Sequence, residues 1–424
     1  MRYPDFQFIR QRFPSADTPD PRRLLAEELR RSGLLEAVAE GQSVAITAGS
    51  RGIESMPQVL AGLAAAVKER GGRPFLIPAM GSHGGGTGPG QVEVLAHLGI
   101  TPETVGCPVY DGWDLVELGR AADLVPVYAD RAVLEADHLI LVNRVKEHTE
   151  YIGDTESGLI KMAAIGLGRQ LGAEYVHQLA VNISYYRALH AVAQVLFERL
   201  PVLGGVALLE DQRNRLRRLE AIPAGRIFQR EPELLAESRG DKPKLPFEKL
   251  DFLIIDEIGK DISGTGADTK VVGRIMNIYE AECTSPRITR ILIRDLSHKT
   301  DGNAIGIGLA DYTTRRVVEK MNPEVTTLNA ITGCTPEKGR LPLVLENDRK
   351  ALEAILRTIG VWRPESVRGA WIANSKDLEL LAVTPHLADL AARRPDLEVL
   401  GNAFAAPFDA QGDLPRLAEL AQGF

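Results

Sequence analysis

The sequence predicts an α/β protein: two α/β domains with mostly parallel sheets and an active-site cleft between the domains. Three observations predict it. Short apolar runs alternate with longer helical patterns along the chain, the rhythm of βαβ units. The loops that follow the apolar runs are rich in glycine and polar residues, as expected at the carboxyl ends of parallel strands, where ligands gather. The chain has 424 residues, and domains commonly run to about 100–200 residues. A charged, proline-containing stretch near 230–249 then separates two halves, giving domains at 1–245 and 246–424.

The elements follow in order. SVAITAGS at 43–50 reads as a strand ending in a loop, and MPQVLAGLAAAVKERGG at 56–72 as a helix closed by Gly71 and Gly72. RPFLIPAMGSHGGG at 73–86 is a strand feeding a glycine-rich loop, and a short helix over 91–100 follows. HLILVNRV at 138–145 is a buried strand. The stretch 169–200 has helical character, and GGVALLED at 204–211 is again a strand. REPELLAESRGDKPKLPFEK looks like a surface helix with a linker behind it. The second half opens with the strand LDFLIIDEIG and continues with strands at 287–296 and 369–375. Helices are expected near 268–277, 313–320, 347–358 and 376–382. The closing LPRLAELAQGF is an amphipathic helix able to dock on either domain, including back onto the N-terminal one.

Composition excludes several classes. Charged residues make up 25% and hydrophobic residues 44%, the balance of a globular chain with real cores. The net charge of -7 argues against a large basic nucleic-acid footprint. The three cysteines, Cys107, Cys283 and Cys334, are too scattered for a disulfide framework or a cysteine-based zinc site. The first residues, MRYPDFQFIRQRF, carry charges and lack an apolar signal-peptide core, and no run approaches the ~18 apolar residues of a membrane span. A cytoplasmic protein with no membrane partner is expected.

Chemistry is expected at four loops. MGSHGGGTGPGQ places six glycines between 81 and 90 around His83. Such a loop lets backbone N–H groups approach an anion, and a histidine after a strand suits acid–base work. It is neither a GxGxxG fingerprint nor a P-loop. The segment 143–178 gathers Lys146, His148, Lys161, Arg169 and His177. Lys161 stands in the apolar run LIKMAAIG, and a partly buried lysine loses its charge more readily, which suits covalent attachment. Arg169 and His177 are eight residues apart, about two turns along one side of a helix. TAGSRGI at 47–53 puts Arg51 at a strand end, where it can grip a carboxylate or phosphate. SGTGADTK in the second half reads as an anion nest at a helix start, with Lys270 behind it. Each feature has a bland alternative, namely a flexible loop, a surface lysine, a satisfied core histidine or a structural turn. RDLSHKTDGNAIGIG at 294–308 is read as structural or as rim.

In order along the chain, TxxSR at 47–51, GSHGG at 81–85, VKEH at 145–148, GLIKM at 158–162 and YVHQ at 175–178 resemble the nickel-dependent lactate racemase family. GKDISGTGADTK looks like the start of that family's second domain, and the resemblance runs from roughly 40 to 375. It implies an isomerase that racemises or epimerises a 2-hydroxy acid by hydride transfer to a nickel-pincer nucleotide, a pyridinium mononucleotide whose sulfur arms and ring carbon hold nickel. It implies Lys161 as the attachment residue, His177 as the nickel ligand and His83 with His148 as the two catalytic acid–base groups. Arg51, Ser50, Gly84 and Gly85 would line the cofactor, with Arg51 and Lys270 at the substrate. Cofactor-synthesis proteins would be the loading partners. The chain departs from the family at Ala48, where an acidic residue is usual, at Ala267, where a glutamine is usual, and in a longer polar stretch TEYIGDTESG. These departures point to a substrate other than lactate. Two alternatives stand beside this reading: an enzyme using a soluble nicotinamide nucleotide, and a non-catalytic anion binder. The lack of GxGxxG with an acidic residue ~20 positions on weighs against the first. The presence of both histidines weighs against the second.

Overall fold

The computed structural model describes residues 3–14, 20–50, 52–81 and 83–422. It is a mixed α/β structure with mostly parallel sheets, and it divides into two compact units. One comprises Ser15–His148 and Ile152–Lys242, and the other Met1–Pro14, Thr149–Tyr151 and Pro243–Phe424. Residues 3–14, which the sequence assigns to the N-terminal domain, thus belong to the unit built mainly from the second half.

The unit of Ser15–His148 and Ile152–Lys242 is organised on a five-stranded sheet in the order Arg73–Pro78, Ser43–Ala48, His138–Arg144, Val202–Glu210, Leu216–Pro223. The first four strands are parallel and the last is antiparallel. Val44, Ile46, Ile140, Val142, Val206 and Leu208 form its buried centre. They pack against Val59, Leu60, Leu63 and Val67 of the helix Met56–Glu69. The hairpin return at Leu216–Pro223 went unread because LRRLEAIP carries two arginines beside its apolar positions. Those arginines pair with Glu237, and Arg218 also pairs with Glu220.

The helical stretch expected over 169–200 is two helices, Arg169–Ile183 and Tyr185–Arg199, broken at Ser184 with φ 79°. Glycine favours that backbone region, and serine adopts it only under strain. The helix Gly88–His97 begins before the expected 91, because Thr87 supplies the cap: its hydroxyl accepts from Gly90 N–H at 3.2 Å.

The other unit holds an eight-stranded sheet in the order Leu343–Leu345, Tyr312–Thr314, Arg287–Leu296, Lys249–Ile258, Gly369–Ile372, Leu380–Val383, Phe6–Gln11, Leu397–Phe404. Pairing is parallel through Gly369–Ile372 and antiparallel beyond it. The helix expected at 376–382 is absent; Leu380–Val383 is a strand there. A short buried apolar run does not distinguish helix from strand by periodicity. The helix expected at 268–277 is one turn, Thr269–Val272, ended by Gly273 at φ 70°. The closing segment docks within this unit: Leu417 is buried in a cluster with Trp371, and its N–H donates to Asp256 at 2.6 Å. No described helix is long and apolar enough to cross a membrane.

Candidate active site

Three segments that follow strands build the site in the unit of Ser15–His148 and Ile152–Lys242. The first leaves Ser43–Ala48. Ser50 is half-buried there, and Arg51 lies outside the described residues. Gly49 sits so near the Met162 side chain that a Cβ would lie 3.1 Å from its terminal methyl.

The second is the glycine loop. His83 is exposed, and its Nδ1 donates to the Met80 carbonyl at 2.7 Å. A carbonyl only accepts, so in the neutral ring the basic nitrogen is Nε2. Gly84 and Gly85 both have φ +65°, and a Cβ on Gly84 would collide with the Gly90 carbonyl carbon at 2.4 Å. Glycine is therefore required at 84 by packing as well as by backbone. Ser82 lies outside the described residues.

Behind the loop, the Gln91 amide donates to the Gly81 and His83 carbonyls at 2.8 and 3.3 Å. Its oxygen accepts from Arg169 at 2.6 Å. Arg169 is fully buried, bonds Asp130 at 3.1 Å and stacks over Trp113. Burial pulls its guanidinium below its ordinary range, and Asp130 opposes that pull. The sequence groups Arg169 with His177, but the structure uses it to brace the loop from behind.

The third segment follows His138–Arg144. Two backbone bonds between Lys146 and Ser157, at 2.9 and 3.0 Å, pinch its base. The buried Glu156 carboxylate accepts from His148 N–H at 2.5 Å and from Arg239 at 2.7 Å. The chain then enters the turn Leu159–Lys161, whose half-buried lysine reaches back: Lys161 Nζ lies 2.8 Å from His148 Nε2. An ammonium only donates, so His148 Nε2 accepts. A wide π-type turn, Met162–Leu167, continues into the helix bearing His177. Such turns are frequent at functional sites.

Tyr185 joins the group. Its hydroxyl bonds His177 Nδ1 and lies 3.3 Å from Nε2. Its ring meets the His177 ring edge-on at 5.3 Å and the His148 ring at 5.7 Å. The break at Ser184 starts a new helix at this tyrosine, buried to 1% exposure. The structure therefore brings His148, Lys161, His177 and Tyr185 together. The His83 loop is seated on the start of the helix Arg169–Ile183 that bears His177, with Gly81 against Ala173 and Gly86 against Gln170. Tyr185 was missed because a tyrosine in an apolar helical pattern reads as core.

Lys270 belongs to the other unit. Its ammonium donates to the Tyr151 carbonyl at 2.6 Å, while Thr269 donates to the Thr149 carbonyl at 2.7 Å. Asp268 caps the turn at Lys270 N–H, at 2.9 Å. Among the described residues, no three histidine, cysteine, aspartate or glutamate side chains are grouped to hold a metal ion.

No protein-family model matches the chain, and no curated protein matches it. Among solved structures, the chain is similar to the lactate racemase apoprotein from Thermoanaerobacterium thermosaccharolyticum, with a TM-score of 0.49 and 12% identity. The match covers 92% of this chain and 96% of that one. A likeness at this level says nothing about chemistry.

Proposed function

We propose that this chain is a racemase or epimerase of a 2-hydroxy acid, acting with a nickel-pincer nucleotide tethered to Lys161. The observation that carries the reading is the Lys161 amine 2.8 Å from the His148 imidazole, beside His177 and its tyrosine.

The donor set fits the group. Lys161 is half-buried and faces a proton acceptor, which suits an amine that must be acylated. His177 has one ring nitrogen held by an outer hydroxyl, the arrangement that orients a metal-ligating imidazole. A pincer ligand brings its own sulfur and carbon donors, so a single histidine completes the protein's share. When bound, the group supplies a hydride acceptor and donor at its ring carbon.

The chain's own residues move the protons. Acylation of Lys161 removes the ammonium that donates to His148 Nε2, and His148 then serves as base toward a substrate hydroxyl. His83, with its basic nitrogen at Nε2, is the second acid–base group. Histidine's ordinary pKa near ~6.5 suits both directions of transfer. Inversion at one carbon needs such groups on opposite faces of a planar intermediate. Lys270 and Arg51 are the proposed carboxylate contacts, with Ser50, Gly84 and Gly85 lining the cofactor.

The test is intact mass after co-expression with the cofactor-synthesis proteins, followed by peptide mapping. Added mass on Lys161, with nickel-dependent racemisation of some member of a 2-hydroxy-acid panel, is the expected outcome. An unmodified Lys161 in every preparation, with no nickel dependence, overturns the reading. Binding of NAD or NADP would point instead to ordinary hydride transfer from a soluble nucleotide.

A further inference from the structure

The turn that carries Lys161 ends on a carboxyl group that nothing above requires. Glu231 stands in the helix Ile227–Asp241 and is 1% exposed. One oxygen, Oε2, accepts from both Leu159 N–H at 2.6 Å and Ile160 N–H at 3.1 Å. These are the first two residues of the turn Leu159–Lys161. The other oxygen, Oε1, is buried with no hydrogen-bond partner among the described residues. Gly158 makes room for the group, since a Cβ there would lie 2.4 Å from the carboxyl carbon. Asn143, at the end of the His138–Arg144 strand, holds the Gly158 carbonyl from the other side at 2.8 Å.

We propose that Glu231 is the positioning residue for Lys161, fixing the turn so that the amine meets His148. The inference rests on the reading of Lys161 as the attachment residue. Three physical points support it. A three-residue turn closes too few internal bonds to hold its own axis. Both N–H groups that would orient it are committed to one carboxyl oxygen. Burying an acid is destabilising, and burial pushes this one up to about 7 against the pull of those two N–H groups. An acid kept there despite that cost points to a role other than stability, and what the turn takes from it is one acceptor oxygen that reaches both donors.

The experiment reads the amine directly and needs no cofactor. The full-length protein is acylated with a small water-soluble active ester. Modification of Lys161 is then measured by peptide mass spectrometry against Lys249, an exposed lysine of the other unit. In E231A the turn loosens, the amine leaves its acceptor, and the Lys161:Lys249 ratio falls by about threefold to tenfold, the value of one hydrogen bond. E231Q, which keeps an acceptor oxygen, restores the ratio. Should E231A fail to fold by circular dichroism, E231D decides: its carboxyl is withdrawn by one methylene, and the same fall is expected. An unchanged or higher ratio in a folded E231A or E231D overturns the proposal, as does an E231Q ratio as low as that of E231A. A wild-type chain that shows the expected labelling yet never gains mass on co-expression overturns the functional reading and leaves this one standing.

Discussion

His148 carries two demands at the scale of the residue. Its Nε2 accepts from the Lys161 ammonium at 2.8 Å, and under the proposed function the same nitrogen is offered to substrate once Lys161 is acylated. Its backbone is held apart from that exchange by the Glu156 carboxylate, itself paired with Arg239. Tyr185 plays the corresponding part for His177. With the hydroxyl on Nδ1, the ring is held in one orientation. Y185F removes that bond and keeps the ring that packs beside His148. The expected outcome is a protein that folds and is acylated at Lys161 but holds nickel about 10–100-fold less tightly, as for other outer partners of a ligating histidine. Competition with a chelator, read as nickel per chain, measures it. Nickel retention equal to wild type would make Tyr185 a packing residue only.

Elements decide which of these residues were legible. Loops after strands 43–50, 73–86 and 138–145 are readable because a parallel sheet presents its chemistry at strand ends. His83, His148 and Lys161 fall in the stretches after those strands, whereas His177 lies on the helix Arg169–Ile183 and its proposed role rests on the family resemblance. Tyr185 and Glu231 are not legible: the tyrosine reads as core in an apolar helical pattern, and Glu231 lies on a helix 72 residues from the Leu159 N–H it accepts from. Arg169 shows the converse error. Spacing placed it on the face of His177, but it adopts φ 54° at the start of its helix, and its side chain turns inward to Gln91 and Asp130. The glycine loop is therefore braced by residues outside its own sequence. R169M leaves Asp130 buried without its cation and Gln91 without its donor. A loss of about 3–5 kcal/mol in stability is expected, the usual result of breaking a buried pair from one side. Adding D130N should recover part of it. Urea unfolding of the single and double variants supplies the cycle, and additive effects would deny the coupling.

For the whole molecule, the α/β class with mostly parallel sheets follows from alternating runs, but the way the chain fills its units does not. Phe6–Gln11 pairs with Leu380–Val383 and Leu397–Phe404, partners nearly a chain length away. No local pattern encodes such pairing. Each unit has its own buried centre, Val44, Ile46 and Val206 in one, Leu253, Ile255 and Ile293 in the other. Stability must therefore be read unit by unit, since one global transition is not assured for such a chain. Glu231 gives a pH signature confined to one of them. Its carboxyl is raised from 4.5 to about 7 in the folded state by burial, against the pull of the Ile160 and Leu159 N–H groups. Between those values the folded unit keeps a proton that the unfolded chain releases, so this group favours folding fully below 4.5 and loses that contribution as pH rises to about 7. The span corresponds to stability on the order of 3 kcal/mol. E231Q cannot ionise, so its stability relative to wild type should rise from pH 4.5 toward 7 and level off above. Hydrogen exchange at Val206 and Leu208 would report that change, and exchange at Ile255 and Ile293 should stay the same in both proteins. A pH-independent difference at Val206 would mean that the carboxyl is ionised throughout, held so by the two N–H groups it accepts from.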